Sequence, residues 1–259
     1  KDEETGKGVL VWNEKTKKEL KEEYGMKDVG PKYEFNNETN KWELVEGKKS
    51  EKEWFEQAEL IEAYWLEKGL KDGKVQSNLV DGRFVDIAGV TIKDGDYSLA
   101  ANQALELARS GKYQGVVVNG TNVTSVVITK NKNKVESYFI DVLQRKASKD
   151  EETGKGVLVW NEKTKKELKE EYGMKDVGPK YEFNNETNKW ELVEGKKSEK
   201  EWFEQAELIE AYWLEKGLKD GKVQSNLVDG RFVDIAGVTI KDGDYSVAAN
   251  KAIAAALIK

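Results

Sequence analysis

The chain contains no cysteine and no histidine, and each absence removes a class of chemistry. Without cysteine there is no disulfide, no thiolate metal site and no thiol nucleophile. Without histidine there is no Ser-His-Asp triad, no imidazole metal centre and no imidazole proton shuttle. Because these absences exclude most hydrolase mechanisms, the sequence predicts a protein that is not an enzyme and that uses no cofactor.

Long apolar runs and a dominant charge are also missing. No segment approaches the roughly 18 apolar residues of a membrane-spanning helix, so we expect no membrane span. The 49 acidic and 43 basic residues are interspersed and give a net charge of −6. Because no basic patch is present to meet a phosphate backbone, we expect no nucleic-acid partner. At 259 residues and 38% hydrophobic content, the chain is long enough to bury a core.

What the chain does contain is a long internal repeat. Residues 1–98 recur without a substitution as 149–246. We therefore expect a tandem array excerpted from a longer repeat protein. The first repeat covers 1–148, with subdomains of about 1–70 and 71–148. The second covers 149–259, is truncated, and diverges after Ser246 in a way that keeps the small and apolar positions of the preceding copy.

Local patterns within one repeat predict an α+β fold in which two or three helices cover a mostly antiparallel sheet. An apolar run at 8–12 predicts a buried strand. Helices are expected at 16–24, at 54–66 with a capping box of Ser50 and Glu53, and at 98–110. Strands are predicted from alternation and turn residues at 33–35, 42–44, 74–80, 83–87, 90–92, 115–118, 123–128 and 135–143.

Two arrangements of the last three strands remain open. In the favoured one, strands 74–92 belong to a smaller, self-sufficient subdomain. In the other, the structural unit is permuted relative to the repeat and runs from about Lys112 to Lys259. The charged connection 145–155 predicts a short linker and little cooperation between repeats.

The Asp-x-Asp-x-Ser sequence is the one candidate metal motif. It occurs as Asp94, Asp96 and Ser98, and again as Asp242, Asp244 and Ser246. Alternating oxygen ligands of this kind open some calcium loops, but the sixth and twelfth positions here do not fit such a loop. We favour a turn followed by a helix N-cap at Asp96 or Ser98, and so no metal site.

The tryptophans offer a possible binding surface. Trp42, Trp54 and Trp65 fall on a hairpin and an amphipathic helix, where core packing accounts for them. Trp12 and its copy Trp160 therefore stay as the binding candidates. Paired carboxylates acting on a glycosidic bond remain a third, catalytic alternative without distinctive spacing, and a Lys-Asn isopeptide crosslink stays open.

Lysine outnumbers arginine about tenfold, asparagine is frequent, cysteine is absent and the repeats are long and near-identical. In these respects the chain resembles cell-surface repeat proteins of low-GC Gram-positive bacteria, and more narrowly the repeat region of clostridial cell wall proteins, including a phase-variable type that promotes aggregation. The stretch Val75–Phe84 is similar in style to segments of clostridial surface-layer proteins.

The resemblance implies an extracellular, cell-surface or cell-wall location and a non-enzymatic module for projection, spacing or adhesion. Its partners would be neighbouring repeats, like molecules on other cells, or a surface glycan or protein. The alternative is a carbohydrate- or protein-binding module that uses exposed aromatic residues. Because no wall-binding motif or LPxTG signal occurs in the chain, attachment to a wall is implied by analogy alone.

Overall fold

The computed structural model describes residues 15–120, 122–149, 154 and 156–257. The chain divides into two compact units at residues 106 and 107. This boundary lies inside a helix and about forty residues before the boundary between the two sequence repeats. The structural units and the sequence repeats therefore have different limits.

The first unit is made of short elements. In chain order they are α1 (Lys17–Leu20), a 3-10 turn (Lys21–Tyr24), β1 (Pro31–Asn36), β2 (Lys41–Lys49), α2 (Trp54–Lys68), β3 (Leu70–Lys71), β4 (Lys74–Val75), β5 (Leu79–Val80), β6 (Arg83–Phe84) and α3 (Tyr97–Arg109), whose last turn lies beyond the boundary. Among the described residues of this unit, the strands pair as antiparallel hairpins, β1 with β2, β3 with β4 and β5 with β6.

The second unit adds a three-stranded meander to the same elements. Its members are β7 (Lys112–Asn119), β8 (Asn122–Asn131), β9 (Lys134–Lys149), β10 (Gly156–Trp160), α4 (Lys165–Leu168), a 3-10 turn (Lys169–Tyr172), β11 (Pro179–Asn184), β12 (Lys189–Lys197), α5 (Trp202–Lys216), β13 (Leu218–Lys219), β14 (Lys222–Val223), β15 (Leu227–Val228), β16 (Arg231–Phe232) and α6 (Tyr245–Ala255). The four-stranded sheet has the antiparallel order β10-β9-β8-β7. The expected mixture of helices and mostly antiparallel sheet is confirmed.

Two helices differ in detail from the prediction, α1 in its length and α2 in its cap. The segment 16–24 is α-helical for one turn only, because Lys21 adopts a positive φ of 48° and the chain tightens into a 3-10 turn that ends at Gly25. The capping box before α2 is formed by Glu53 and Glu56, since Glu53 is the N-cap and Glu56 is the third helical residue. Ser50 bonds instead to the carbonyl oxygen of Lys52.

The hairpin is confirmed, with Phe35 opposite Trp42 and Tyr33 opposite Leu44. The aromatic face of the hairpin does not contribute to the cluster formed by α2. The apolar side of α2 packs instead on the loop that follows it, where Phe84, Ile87, Val90 and Ile92 are buried together with Ile61. This loop supplies a continuous apolar surface, whereas Leu44 of the hairpin is exposed.

The charged connection between repeats is largely a strand. β9 continues to Lys149 and pairs with β10, so residues 145–149 are held in a sheet and not in a free linker. β10 was predicted to be buried, but only Trp160 in it is even partly buried, because β10 is the edge strand of its sheet. The equivalent strand 8–12 lies outside the described residues.

The core of the second unit joins two sequence repeats. Alternate residues of β8 and β9, such as Val126, Ile128 and Ile140, pack with Trp202 and Trp213 of α5 and with the small residues of α6. This is the permuted arrangement. In the first unit the residues 84–92 form their own cluster with α2, and no meander residue belongs to it.

Candidate functional site

The same sequence is present once with a meander packed on it and once without. Ala248, Ala249, Ala252 and Ile253 of α6 and the following Ala256 are at most 2% exposed, because β7 and β8 cover them. The corresponding face of α3 carries Ala100, Ala101, Ala104, Leu105 and Ala108, and α3 has no buried residue. We call the contact of β7, β8 and β9 with α5 and α6 the meander seam.

A glycine sets how closely the seam packs. Gly115 of β7 lies against the backbone of α6, and a Cβ atom built on it would meet the carbonyl oxygen of Ala248 at 1.9 Å and the amide nitrogen of Ala252 at 2.6 Å. No side chain fits in that space. Glycine in the strand and alanine every four residues in the helix therefore form one complementary surface.

Polar contacts line the edges of the seam. Thr124 Oγ1 donates to the carbonyl oxygen of Gly243 at 2.9 Å, and Asn119 Nδ2 donates to Asp244 Oδ2 at 3.0 Å. Lys130 Nζ donates to the carbonyl oxygen of Ala256 at the C-terminal end of α6. Since the last carbonyls of a helix lack helical partners, this lysine satisfies a group that would otherwise need water.

An ion pair is buried by the meander. Lys166 Nζ lies 2.6 Å from Glu210 Oε1, and the two side chains are 11% and 14% exposed. Ile140 N of β9 also donates to Glu210. Burial raises the pKa of Glu210, and the bonds from Lys166 and Ile140 oppose that rise. The equivalent pair in the first unit, Lys18 and Glu62, is 50% and 53% exposed.

Lys165 has the most altered environment. Its ammonium group lies 4.8 Å from the ring centroid of Tyr172 and 5.0 Å from that of Trp202. Burial lowers the pKa of Lys165 from 10.5 to about 8, and the charge of Asp141 opposes that fall. The equivalent Lys17 also lies over two aromatic rings, but it is exposed.

The candidate metal residues form helix starts. Asp94 Oδ1 accepts bonds from Ser98 N at 2.9 Å and from Ser98 Oγ at 2.8 Å, and Asp242 does the same for Ser246. The N-cap position is that of Asp96, as expected, since α3 begins at Tyr97 and Asp244 is the N-cap of α6. The side chain of Asp244 makes no capping bond, and the capping oxygen comes from Asp94 and Asp242. Among the described residues no group of three or more acidic side chains is placed to hold a metal ion.

The tryptophan candidates separate in the structure. Trp12 lies outside the described residues. Trp160 ends β10 and stacks with Arg145, whose guanidinium carbon is 4.5 Å from the ring centroid. Trp202 and Trp213, the copies of Trp54 and Trp65, are core residues of the second unit as predicted.

The hairpin tryptophan Trp42 was assigned to the core, yet it lines an open groove. The groove has a volume of about 330 Å³ in the first unit and about 480 Å³ around Trp190 in the second. The Trp42 and Phe35 rings lie 5.6 Å apart. The Nε1 atoms of Trp42 and Trp190 are buried and have no hydrogen-bond acceptor among the described residues. Sequence periodicity alone does not show that this tryptophan borders a groove, because the groove is formed by the hairpin together with a residue of α2 and the loop 85–91.

Charged side chains border this groove. Lys32 Nζ lies 2.9 Å from Glu34 and 2.7 Å from Glu51 at its rim. The Lys52 side chain passes beside Gly89, where a Cβ would lie 2.8 Å from Lys52 Cε. The result is an aromatic surface with a charged border, repeated once per unit.

No protein-family model and no curated protein matches the chain. Among solved structures, the chain is similar to a solution NMR structure of a structural genomics target from Clostridium thermocellum. The two are 23% identical over 57% of this chain and 92% of that one, with a TM-score of 0.31. At that TM-score the similarity does not transfer a fold or a function. Within the described residues no helix has the length and apolar character needed to span a membrane.

Proposed function

We propose that the chain is a non-enzymatic structural module of a bacterial cell-surface repeat protein, and that it projects or spaces what lies beyond it. The proposal rests mainly on the core of the second unit. In this core, Ile128 and Ile140 of one sequence repeat pack with Trp213 and Ile253 of the next. Successive repeats are then joined by a packed core, which resists separation better than a flexible linker does.

The course of β9 supports this role. It runs without interruption from Lys134 to Lys149 and so crosses the boundary between the sequence repeats while bonded to β8 and β10. Along its first half, alternate residues are buried against α5. Tension at this boundary would therefore load a sheet and its core and not a flexible segment.

Pulling single molecules by their two ends tests the proposal. We expect one event at high force that lengthens the chain by about 500 Å, the extended length of residues 107–259 at ~3.3–3.6 Å per residue, and a weaker event from the first unit. Gly115→Ala should lower the force of the longer event only. If neither unit gives a resolvable force peak, the chain is not a mechanical spacer.

Adhesion is a distinct version of the same role, and coated beads separate the two. Beads that carry the chain aggregate with one another if it binds like molecules, and they remain dispersed if it only spaces. A fluorescent, uncoupled chain added in excess should block any aggregation, whereas serum albumin should not.

The groove favours a second function, the binding of a surface carbohydrate or peptide. The rings of Trp42 and Phe35 line the groove of the first unit beside the charged rim, and Trp190 and Phe183 repeat them in the second unit. Aromatic faces with adjacent polar groups suit sugar rings and peptide side chains. A glycan and peptide array probed with the chain tests this, using Trp42→Ala with Trp190→Ala to remove the rings.

Trp160→Ala is the control, because Trp160, the binding candidate from the sequence, lies on β10 and not in the groove, and loss of binding in this variant alone would assign the ligand to Trp160. Binding that is lost in the double variant and kept in the control supports the groove. Binding that both variants retain, or no binding at all, removes this second function.

A further inference from the structure

In the first unit, α3 has the same helix face that α6 presents to the meander, but α3 has no buried residue. We propose that the exposed face of α3 is a docking surface for a further copy of the three-stranded segment 107–148, supplied by another repeat. This goes beyond the proposed spacer role by naming a partner and a surface. The proposal depends on the proposed function in one respect, which is that successive repeats lie next to each other.

The seated copy in the second unit carries the argument. Residues 1–98 and 149–246 are identical, so every side chain that meets the meander in that stretch of the second unit has its counterpart in the first. The acceptors are retained as well. Gly243, Asp244 and Glu210, which receive bonds from Thr124, Asn119 and Ile140, correspond to Gly95, Asp96 and Glu62.

Beyond the identical stretch, the two helices differ mainly at positions that are exposed in the second unit. The four buried alanines in and just after α6 have alanines as counterparts in α3, and Ile253 has Leu105. The changes of charge or size fall at positions that are exposed in the second unit: Val247, Lys251, Ala254, Ala255 and Leu257 stand where α3 has Leu99, Gln103, Glu106, Leu107 and Arg109.

One seam contact would be altered. Lys251 Nζ donates to the carbonyl oxygen of Val116 at 3.0 Å, and the first unit has Gln103 at that position. A glutamine amide is also a donor, and the Lys251 contact is exposed. Glutamine in place of lysine therefore alters one exposed contact at the edge of the seam and leaves the buried helix face unchanged.

Without a meander on α3, apolar and charged side chains of the first unit that a docked meander would cover are exposed to water. Ala100, Ala104 and Ala108 are exposed, and Leu105 is half-buried. Trp54 and Trp65 are also only partly buried, whereas Trp202 and Trp213 are at most 2% exposed. A meander docked on α3 would bring these residues to the burial of their copies.

A second meander can be joined to the chain through a junction that already occurs in the sequence. In the chain, Ser148 is followed by Lys149, which begins the second copy of the sequence that starts at Lys1. Adding residues 107–148 ahead of Lys1 of the full chain therefore reproduces the natural junction. Amide hydrogen exchange is read by mass spectrometry on peptides of α3 and α6, which differ in sequence and so in mass.

We expect exchange in α3 to slow by at least about tenfold in the extended chain and to approach that of α6. The matched control places Gly115→Val in the added segment alone, where the new side chain would meet the helix backbone. It should return α3 to its original rate while α6 stays slow, which shows that the remainder is folded.

Unchanged exchange in α3 on extension would overturn the proposal. So would protection that persists with valine in the added segment, because a sheet that ignores the glycine contact is not using this seam. Either result leaves the force measurement on the unextended chain unaffected, so the docking surface and the spacer role can fail separately.

Discussion

Replacing Gly115 by alanine should release the meander from α6. The added Cβ would lie 1.9 Å from the Ala248 carbonyl oxygen, and ordinary contact begins at 3.4 Å, so the helix must retreat by about 1.5 Å. A gap of even 0.5–1 Å forfeits roughly a quarter to a half of a dispersion contact. The alternative, keeping the helix in place, stores the clash as strain.

Either response costs up to about 3 kcal/mol. Overpacking of a core costs about 1–3 kcal/mol, and loss of the full burial of Ile253 costs about 1.5–3 kcal/mol. Because the clash with the helix backbone is severe, we expect a loss at the upper end of these ranges, about 3 kcal/mol, in the free energy of unfolding of the second unit. For a unit of this size that lowers the midpoint of thermal unfolding by about 6–12 °C.

Differential scanning calorimetry measures the midpoint, and hydrogen exchange in α6 locates the change. Gly156→Ala is the control, since a Cβ at Gly156 meets nothing within 4 Å and its φ is not positive. If Gly115→Ala unfolds at the midpoint of the control, the close approach of β7 and α6 does not stabilise the unit, and the reasoning fails.

Local elements could be predicted because their signals are local. The alternation around Phe35 and Trp42 fixed the hairpin, and the runs at 123–128 and 135–143 fixed two strands of the meander. The exact bounds were harder, because β9 extends into a charged stretch that composition alone identifies as a linker. There the ladder with β10 outweighs the low strand propensity of lysine.

The partner of the meander could not be chosen from those signals. The body sequence occurs twice, so periodicity is equally consistent with either copy. Two features did point to the seam. Gly115 interrupts a β-branched strand, which marks a close backbone approach. Ala248, Ala252 and Ala256 recur every four residues and so share one helix face.

Burial itself was beyond reach of the sequence, because identical residues adopt different environments. Lys17 is exposed and Lys165 is buried, and both are preceded and followed by the same residues. What differs is a sheet contributed by a distant segment. Trp42 was assigned to the core from its alternation, yet it lines a groove because β1 and β2 form a two-stranded sheet with no further strand of the described residues beside them.

Three further predictions test the seam and the turns around it. Lys165→Met should stabilise the second unit at pH 7 by up to about 3 kcal/mol, less the lost ring contacts, because burial lowers the Lys165 pKa from 10.5 to about 8; Lys17→Met should change little. Since the unfolded state binds the extra proton, the unmodified chain should gain stability from pH 8 to 10 relative to Lys165→Met, and an equal pH dependence of the two would contradict the buried amine. Asp94→Ala should cost about 1 kcal/mol by thermal denaturation through loss of its bonds to the helix start, and calorimetric titration of calcium should show no tight binding with or without it. Deleting residues 112–148 should leave amide protection in 74–92 unchanged, because the cluster there contains no meander residue, and should abolish it in α6, whose small residues would then lie in water as those of α3 do. Loss of protection in 74–92, or its survival in α6, would show that the meander belongs to the first body instead.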